Sequence, residues 1–295
     1  MKPAAIDRQR ETMRKSEQKK RAETFAAMHE GNELLLLPNA WDAISACVLV
    51  EAGFAAVATT SGGCAFALGY RDGENISLRE MAGAVRRIAN AVPVPVSADM
   101  EAGYGPAPEN VAETTRRTLG AGAVGMNIED GDKRNPGQLI EFAVAVERIR
   151  AARAVADSAG IPMVINARTD GFRNGDGEDV FSETVRRANA YLQAGARCAF
   201  VPFISDGALI GRLAAAIDGP MNVLAGANTP PVPKLRDLGV RRVTVGSNLT
   251  KAAMSLVRQA ADELRGPGTF EFAREVYTQA DLHRILTSPG GHGKH

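Results

Sequence analysis

Cysteine, histidine and aromatic residues are all scarce in this chain of 295 residues: it has three Cys, four His and a single Trp, and aromatics make up 5%. Cys47, Cys64 and Cys198 are too few and too scattered for a disulfide framework or a zinc site, which points to reduced thiols in a reducing compartment, the cytoplasm. His29, His283, His292 and His295 all fall outside the expected strand ends, so a His-based triad is disfavoured. Charge of one sign is lacking too. A formal net charge of +1 provides no field to gather nucleic acid or anionic lipid, although Lys and Arg do cluster at the amino end. No apolar run approaches the roughly 20 residues that span a bilayer. The segment from Met1 to about Arg21, rich in Lys, Arg, Glu and Gln, has no apolar core of the kind a signal peptide needs. No G-x-G-x-x-G opens a helix after the first strand, which disfavours a dinucleotide-binding fold.

What the chain does have is alternation. Short apolar runs at Leu34 to Leu37, Ala55 to Thr59, Val94 to Ala98, Val124 to Ile128, Met163 to Ala167, Cys198 to Pro202, Met221 to Ala225 and Arg242 to Val245 are separated by segments of helical periodicity. Those segments include Ser77 to Asn90, Pro108 to Leu119, Leu139 to Ala156 and Asp179 to Gln193. Four turns (Ala52 to Phe54, Ala121 to Ala123, Ala194 to Ala196 and Leu238 to Val240) each put a Gly where a helix should end before the next strand. Eight strand–helix repeats favour a closed α/β barrel of the TIM type, a fold of about 250 residues. The expected layout is a charged and mobile arm over residues 1–24, a catalytic barrel over 25–265, and a C-terminal helix and tail over 266–295. In that last part a helix from Phe270 to Leu286 follows the Gly266-Pro267-Gly268 break, and the tail from Gly290 to His295 is also expected to be mobile.

In such a barrel the chemistry lies at the carboxyl ends of the strands. Asn39 and Asp42 follow the first strand, and Thr60, Ser61, Gly62, Gly63 and then Asp72 follow the second. Asp99 and Glu101 follow the third, Glu129, Asp130 and Asp132 the fourth, and Arg168 and Asp170 the fifth. Carboxylates converging on one rim need protonation or a cation, and a set of hard oxygen donors suits Mg²⁺. Mg²⁺ takes one or two protein carboxylates and keeps waters, so Asp99 is the candidate direct ligand, with Glu101 and Glu129 beside it directly or through water. Arg168 is placed to grip a substrate carboxylate with its fork, and the Ser61-Gly62-Gly63 turn can offer backbone N–H groups to one. The bland alternatives are helix-capping roles for Asp42 and Asp170, a glycine turn with no ligand, and a buried small hydrophobe at Cys64.

At these residues the sequence resembles the isocitrate lyase/phosphoenolpyruvate mutase superfamily, from about Phe25 to Leu264. Thr59 to Gly63 (TTSGG) is similar to its substrate-binding turn, Ser97 to Gly105 (SADMEAGYG) to its metal-site segment, and Asn127 to Asp130 (NIED) and Asn166 to Asp170 (NARTD) to its next two strand motifs. The resemblance implies Asp99 as metal ligand, Glu101 and Glu129 supporting it through water, and Arg168 on the substrate carboxylate. It implies a Mg²⁺-dependent lyase or hydrolase that cleaves a C–C bond of a small 2-oxo or 2-hydroxy carboxylic acid through a metal-stabilised enolate. It also implies a homotetramer that exchanges its last helices. The isocitrate-type loop with its catalytic Cys is replaced by Gly131 to Gly137 (GDKRNPG). There Lys133 and Asn135 resemble the Lys-x-Asn pattern of the phosphonopyruvate branch, and Tyr70-Arg71-Asp72 its acid-bearing segment. Asp72, Lys133, Asn135 and Arg168 are therefore the candidate catalytic residues. C–P chemistry, as in a phosphonopyruvate hydrolase or phosphoenolpyruvate mutase, is the second reading. A barrel that binds a 2-oxo acid without turnover is the third.

Overall fold

The computed structural model describes residues 3–287, with side chains from Met13 onward. Nine parallel strand segments form one sheet: β1 (Leu35–Leu36), β2 (Asn39–Ala40), β3 (Val57–Thr59), β4 (Val96–Asp99), β5 (Gly125–Glu129), β6 (Val164–Arg168), β7 (Cys198–Val201), β8 (Met221–Leu224) and β9 (Arg242–Thr244). β1 pairs with β9 while β2 pairs with β3. The two segments are halves of one extended stretch interrupted at Pro38, which has no N–H to give to a ladder. The sheet therefore closes on itself as an eight-stranded barrel, with every strand parallel to its neighbours.

The helices follow the strands in turn. Helix α1 (Pro3–Ala27) precedes the barrel, α2 (Ala43–Glu51) follows β2, and α3 (Ser61–Ala67) and α4 (Leu78–Ala91) follow β3. After β4, β5 and β6 come α5 (Pro108–Gly120), α6 (Phe142–Ser158) and α7 (Glu178–Gln193). After β7, β8 and β9 come α8 (Gly207–Ala216), α9 (Val232–Asp237) and α10 (Asn248–Arg265), and α11 (Gln279–Thr287) ends the described chain. α4 shows why these segments are helical: the Ser77 hydroxyl caps its start, and Met81, Val85 and Ile88 line one buried face. The glycines of the four expected turns adopt left-handed φ values of 92° at Gly53, 97° at Gly122, 108° at Gly195 and 92° at Gly239, which other residues rarely adopt.

Inward and outward residues alternate along the strands. Ala199, Val201, Val223 and Val243 face out into a core shared with the outer helices, and the barrel interior is polar. Asn166 donates to Asn127 at 2.7 Å, Asn222 to Thr244 at 3.3 Å, and the fully buried Arg242 to Ser97 at 3.3 Å. Phe25 occupies the space a side chain at Gly125 would need, since a Cβ there would lie 2.5 Å from its ring. His29 reaches Arg242 next to it.

Two expectations differ from this picture. The charged amino-terminal segment was expected to be a mobile arm, yet Gln18 donates to Leu119 O at 2.8 Å and Ala123 O at 3.1 Å, and Ala22 and Phe25 are fully buried. A few well-placed apolar residues dock α1 while its charges stay solvated. The helix expected from Phe270 to Leu286 is instead a 3₁₀ turn at Glu271–Ala273 followed by α11. Thr278 and Asp281 exchange hydrogen bonds, Thr278 N–H to the Asp281 carboxylate at 3.0 Å and Asp281 N–H to the Thr278 hydroxyl at 3.2 Å, so that a new helix starts there. α11 packs on α2 of its own chain, with Arg284 2.5 Å from Glu51 and Ile285 buried. The expected mobile tail from Gly290 to His295 lies outside the described residues.

Candidate active site

The carboxyl ends of β3 to β6 bring together the polar residues singled out in the sequence. Asp99, the last residue of β4, accepts the Ser61 N–H at 3.0 Å and the Ser61 hydroxyl at 2.8 Å, and its own N–H donates to the Thr59 hydroxyl at 2.9 Å. Burial and then the charge of Glu129 push the Asp99 carboxyl upward. Ser61 also reaches Asp72 at 3.3 Å, so the exposed Asp72 joins this edge of the site. A Cβ at Gly62 would lie 2.8 Å from the Ser247 hydroxyl and 3.0 Å from Asp72, and one at Gly63 would lie 2.5 Å from Thr60. Glycine at both positions lets these groups approach. Thr60 caps α3 and bonds Ser247 at 2.7 Å.

Glu101 adopts a left-handed φ of 51°, an unusual conformation for a residue with a side chain. Its carboxylate is buried, and Oε2 has the Lys133 ammonium as its close partner. Burial is the main reason its pKa rises to about 7, opposed by Lys133 and reinforced by Asp72 and Asp99. Lys133 reaches in from the loop after β5, with Nζ 3.2 Å from Glu101 Oε2 and 2.5 Å from Glu129 Oε1. Burial disfavours the ammonium, but the carboxylates of Glu129 and Glu101 outweigh it and hold Lys133 above its usual range. Glu129 sits 2.7 Å from Arg168 as well. Burial raises its pKa, and Arg168 and Lys133 together bring it below the usual carboxylate range.

Four sequence expectations change at this point. Arg168 was expected to turn its fork to a substrate, but Nε and Nη2 donate to the two oxygens of Asp170 at 2.5 and 3.0 Å, and Nη1 faces Glu129. Of the five guanidinium N–H groups, two remain. Two of the three N–H groups of the Ser61-Gly62-Gly63 turn are also engaged, Ser61 with Asp99 and Gly63 with Thr60 at 3.4 Å. Asn135 is exposed and donates to Asp132 at 2.9 Å, so it shapes its own loop and not the site. Asp130 points away from the rim, where it accepts Tyr191 at 2.7 Å and lies 3.3 Å from Arg187. Asp42 caps α2 and Asn39 ties β9 to β3, both bland roles.

Among the described residues, no three or more Asp, Glu, His or Cys side chains are gathered to enclose a metal ion. Asp99, Glu101 and Glu129 therefore do not form a closed set of direct ligands, because Glu129 and Glu101 face cations. The donors do fit a hard cation that keeps its waters: the Asp99 carboxyl at the end of β4, held by Ser61, with the buried Glu101 carboxylate on the same rim. The three free cysteines are all buried, and Cys64 behind Thr60 is pushed up to about 12 by burial, which makes it a poor nucleophile.

The family model for phosphoenolpyruvate phosphomutase matches residues 25–265. The chain belongs to the phosphoenolpyruvate mutase/isocitrate lyase superfamily. A solved chain from Burkholderia cenocepacia superposes on this superfamily member with a TM-score of 0.86 at 37% identity, covering 94% of this chain and 99% of that one. The oxaloacetate decarboxylase of Rhodopseudomonas palustris is 33% identical over 211 residues, 70% of this chain and 71% of its own. The 2-methylisocitrate lyase of Escherichia coli is 33% identical over 204 residues, 66% of each.

Several residues that complete the site were not singled out in the sequence. Glu74 accepts the Tyr104 N–H at 2.8 Å, and Arg148 is buried with Nη1 3.3 Å from the Glu129 carbonyl. Phe203 presents its ring to Arg168 at 5.4 Å and to Arg173 at 4.8 Å. Phe203 lies just past the end of β7, the kind of position that holds site residues in a barrel, but it is not a polar residue. No signal marked Arg173.

Proposed function

We propose that the protein is a Mg²⁺-dependent lyase or hydrolase that cleaves a C–C bond of a small 2-oxo or 2-hydroxy carboxylic acid. The observation that carries this reading is the buried Glu101 carboxylate on the barrel rim, held in a left-handed backbone conformation and paired with Lys133 at 3.2 Å. An enzyme that handles a carboxylate and a developing oxyanion needs such a mixture of acidic and basic groups, preorganised and shielded from water. Bound Mg²⁺ would act as a Lewis acid on the 2-oxo oxygen. Asp99 and, through water, Glu101 and Glu129 would hold it. The two remaining N–H groups of Arg168 orient the substrate carboxylate, Lys133 supplies positive charge next to the bond that breaks, and Ser61 keeps Asp99 in place.

The oxaloacetate decarboxylase relative supports a C–C substrate. Cleavage of 2-methylisocitrate is not expected, because the loop at 131–137 has no cysteine and none of the three buried thiols can replace one. The C–P reading is weaker, since Asn135 is engaged by Asp132. Pyruvate release from a panel of 2-oxo acids, 2-hydroxy acids and phosphonopyruvate, assayed with Mg²⁺, tests the proposal. Turnover of phosphonopyruvate alone favours the C–P reading, and binding without turnover favours a non-catalytic barrel.

The protein is further proposed to be a homotetramer of the cytoplasm. α10 exposes Met254, Leu256, Val257 and Leu264, and the segment after it exposes Phe270, Phe272, Val276 and Tyr277, an apolar surface that a partner subunit would cover. No helix among the described residues is long and apolar enough to cross a membrane, and a reducing compartment suits three free thiols. A monomeric mass by light scattering at micromolar concentration contradicts the tetramer.

A further inference from the structure

Arg173 is fixed in place while most of its hydrogen-bonding capacity remains open. Its Nε donates to Asp170 Oδ2 at 3.1 Å, and its guanidinium carbon lies 4.8 Å from the centre of the Phe203 ring. Phe203 is itself held at a left-handed φ of 66°, rare for an aromatic residue. No other hydrogen bond or ion pair engages the Arg173 guanidinium among the described residues, so its four terminal N–H groups are free. The side chain is 46% exposed.

Arg173 lines a cavity of about 290 Å³ together with Lys133, Asn174 and Gln138. Three carboxylates also line it, and each already has a partner: Glu129 has Lys133 and Arg168, Asp170 has Arg168 and Arg173, and Asp132 has Arg134 and Asn135. The cavity reaches Glu129 and Lys133 but is not lined by Asp99 or Ser61, so it extends away from the proposed metal edge.

We propose that Arg173 is a specificity-determining residue that pairs with a second anionic group on the substrate, at the end remote from Asp99. The substrate is then a dianion, a 2-oxo or 2-hydroxy acid with a distal carboxylate. A guanidinium already stacked and hydrogen-bonded loses little freedom when it forms the new pair, which is what makes such a fork selective. The inference rests on the proposed function.

Calorimetric binding in the presence of Mg²⁺ tests it without turnover, using oxalate, 2-oxoglutarate and 2-oxopentanoate. The last two have the same chain length and differ in ending with a carboxylate or a methyl group. The wild type binds 2-oxoglutarate about tenfold or more tightly than 2-oxopentanoate, equivalent to roughly 1.4 kcal/mol. Arg173→Gln brings that ratio close to one, and any change transmitted through Asp170 to Arg168 acts on both ligands alike and cancels in the ratio. If Arg173→Gln is not recovered folded, Arg173→Lys answers the same question, because it keeps the charge and loses the fork, and the ratio drops at least twofold. A ratio undiminished in the recovered variant, or no preference in the wild type, overturns the inference. Failure of the wild type to bind oxalate overturns the functional reading itself, and this inference with it.

Discussion

Arg168 turns its fork onto Asp170, two residues further along the same chain, with Nε 2.5 Å from Oδ1 and Nη2 3.0 Å from Oδ2. The pair serves folding and function together. Asp170 is 1% and Glu129 3% exposed, and both depend on this guanidinium. Removing one partner of a buried ion pair leaves an uncompensated charge, at a cost of about 3–5 kcal/mol.

Arg168→Lys is therefore expected to do two things. An ammonium cannot span both Asp170 oxygens and still present donors to a substrate, so KM rises by roughly tenfold or more and the melting temperature drops. Steady-state kinetics and a thermal melt on the same preparation check both. An unchanged KM removes Arg168 from substrate binding, and an unchanged melting temperature removes its structural role.

Lys133→Ala separates positioning from metal binding. Without the ammonium, Glu129 keeps Arg168 but Glu101 loses its nearest cation. We expect kcat to decrease by roughly a hundredfold, in line with the loss of one preorganised charge in an active site, with a much smaller change in Mg²⁺ affinity. Wild-type turnover in this variant removes Lys133 from the chemistry and leaves it a partner of Glu101 and Glu129 only.

The base of the barrel sets a pH limit on stability. His29 donates from Nδ1 to the Phe25 carbonyl at 2.8 Å, and burial, then the charge of Arg242, depress its pKa from 6.5 to about 4. The unfolded chain thus binds this proton more readily than the folded one between about pH 6.5 and 4. Stability rises with pH across that window and is lost as pH falls through it, on the order of 3 kcal/mol in all. His29→Gln should flatten this part of the stability curve in urea titrations at pH 4.5 and 7. An equal pH dependence in both proteins rules His29 out as the cause.

Much of the fold was legible because barrel strands and helix ends follow local rules. The eight apolar runs each coincide with an observed strand, and Gly53, Gly122, Gly195 and Gly239 take the left-handed angles the turns required. The site was legible only as a set of strand-end residues. Which carboxylate faces which cation depends on side-chain direction, so Arg168 looked free for a ligand although its nearest acceptor, Asp170, is only two residues away. The Phe203–Arg173 stack joins two loops 30 residues apart in sequence and left no local pattern. α1 was misread because three small or aromatic contacts, Ala22, Phe25 and Ala26, dock a helix whose composition is otherwise that of a solvated arm.

The central claim is that Asp99 anchors a Mg²⁺ ion required for cleavage of a 2-oxo or 2-hydroxy acid. Its most direct test is a Mg²⁺ titration of exhaustively chelated protein, followed by calorimetry and by turnover of the best substrate from the panel, for wild type and Asp99→Ala. Asp99→Ala leaves the Ser61 N–H and hydroxyl without this acceptor, so a thermal melt first establishes that the variant is folded. The account predicts that turnover is abolished by chelation and restored saturably by Mg²⁺ in the wild type, while folded Asp99→Ala shows neither a binding isotherm nor recovery. Full turnover in the chelated wild type, or wild-type Mg²⁺ binding by Asp99→Ala, contradicts it.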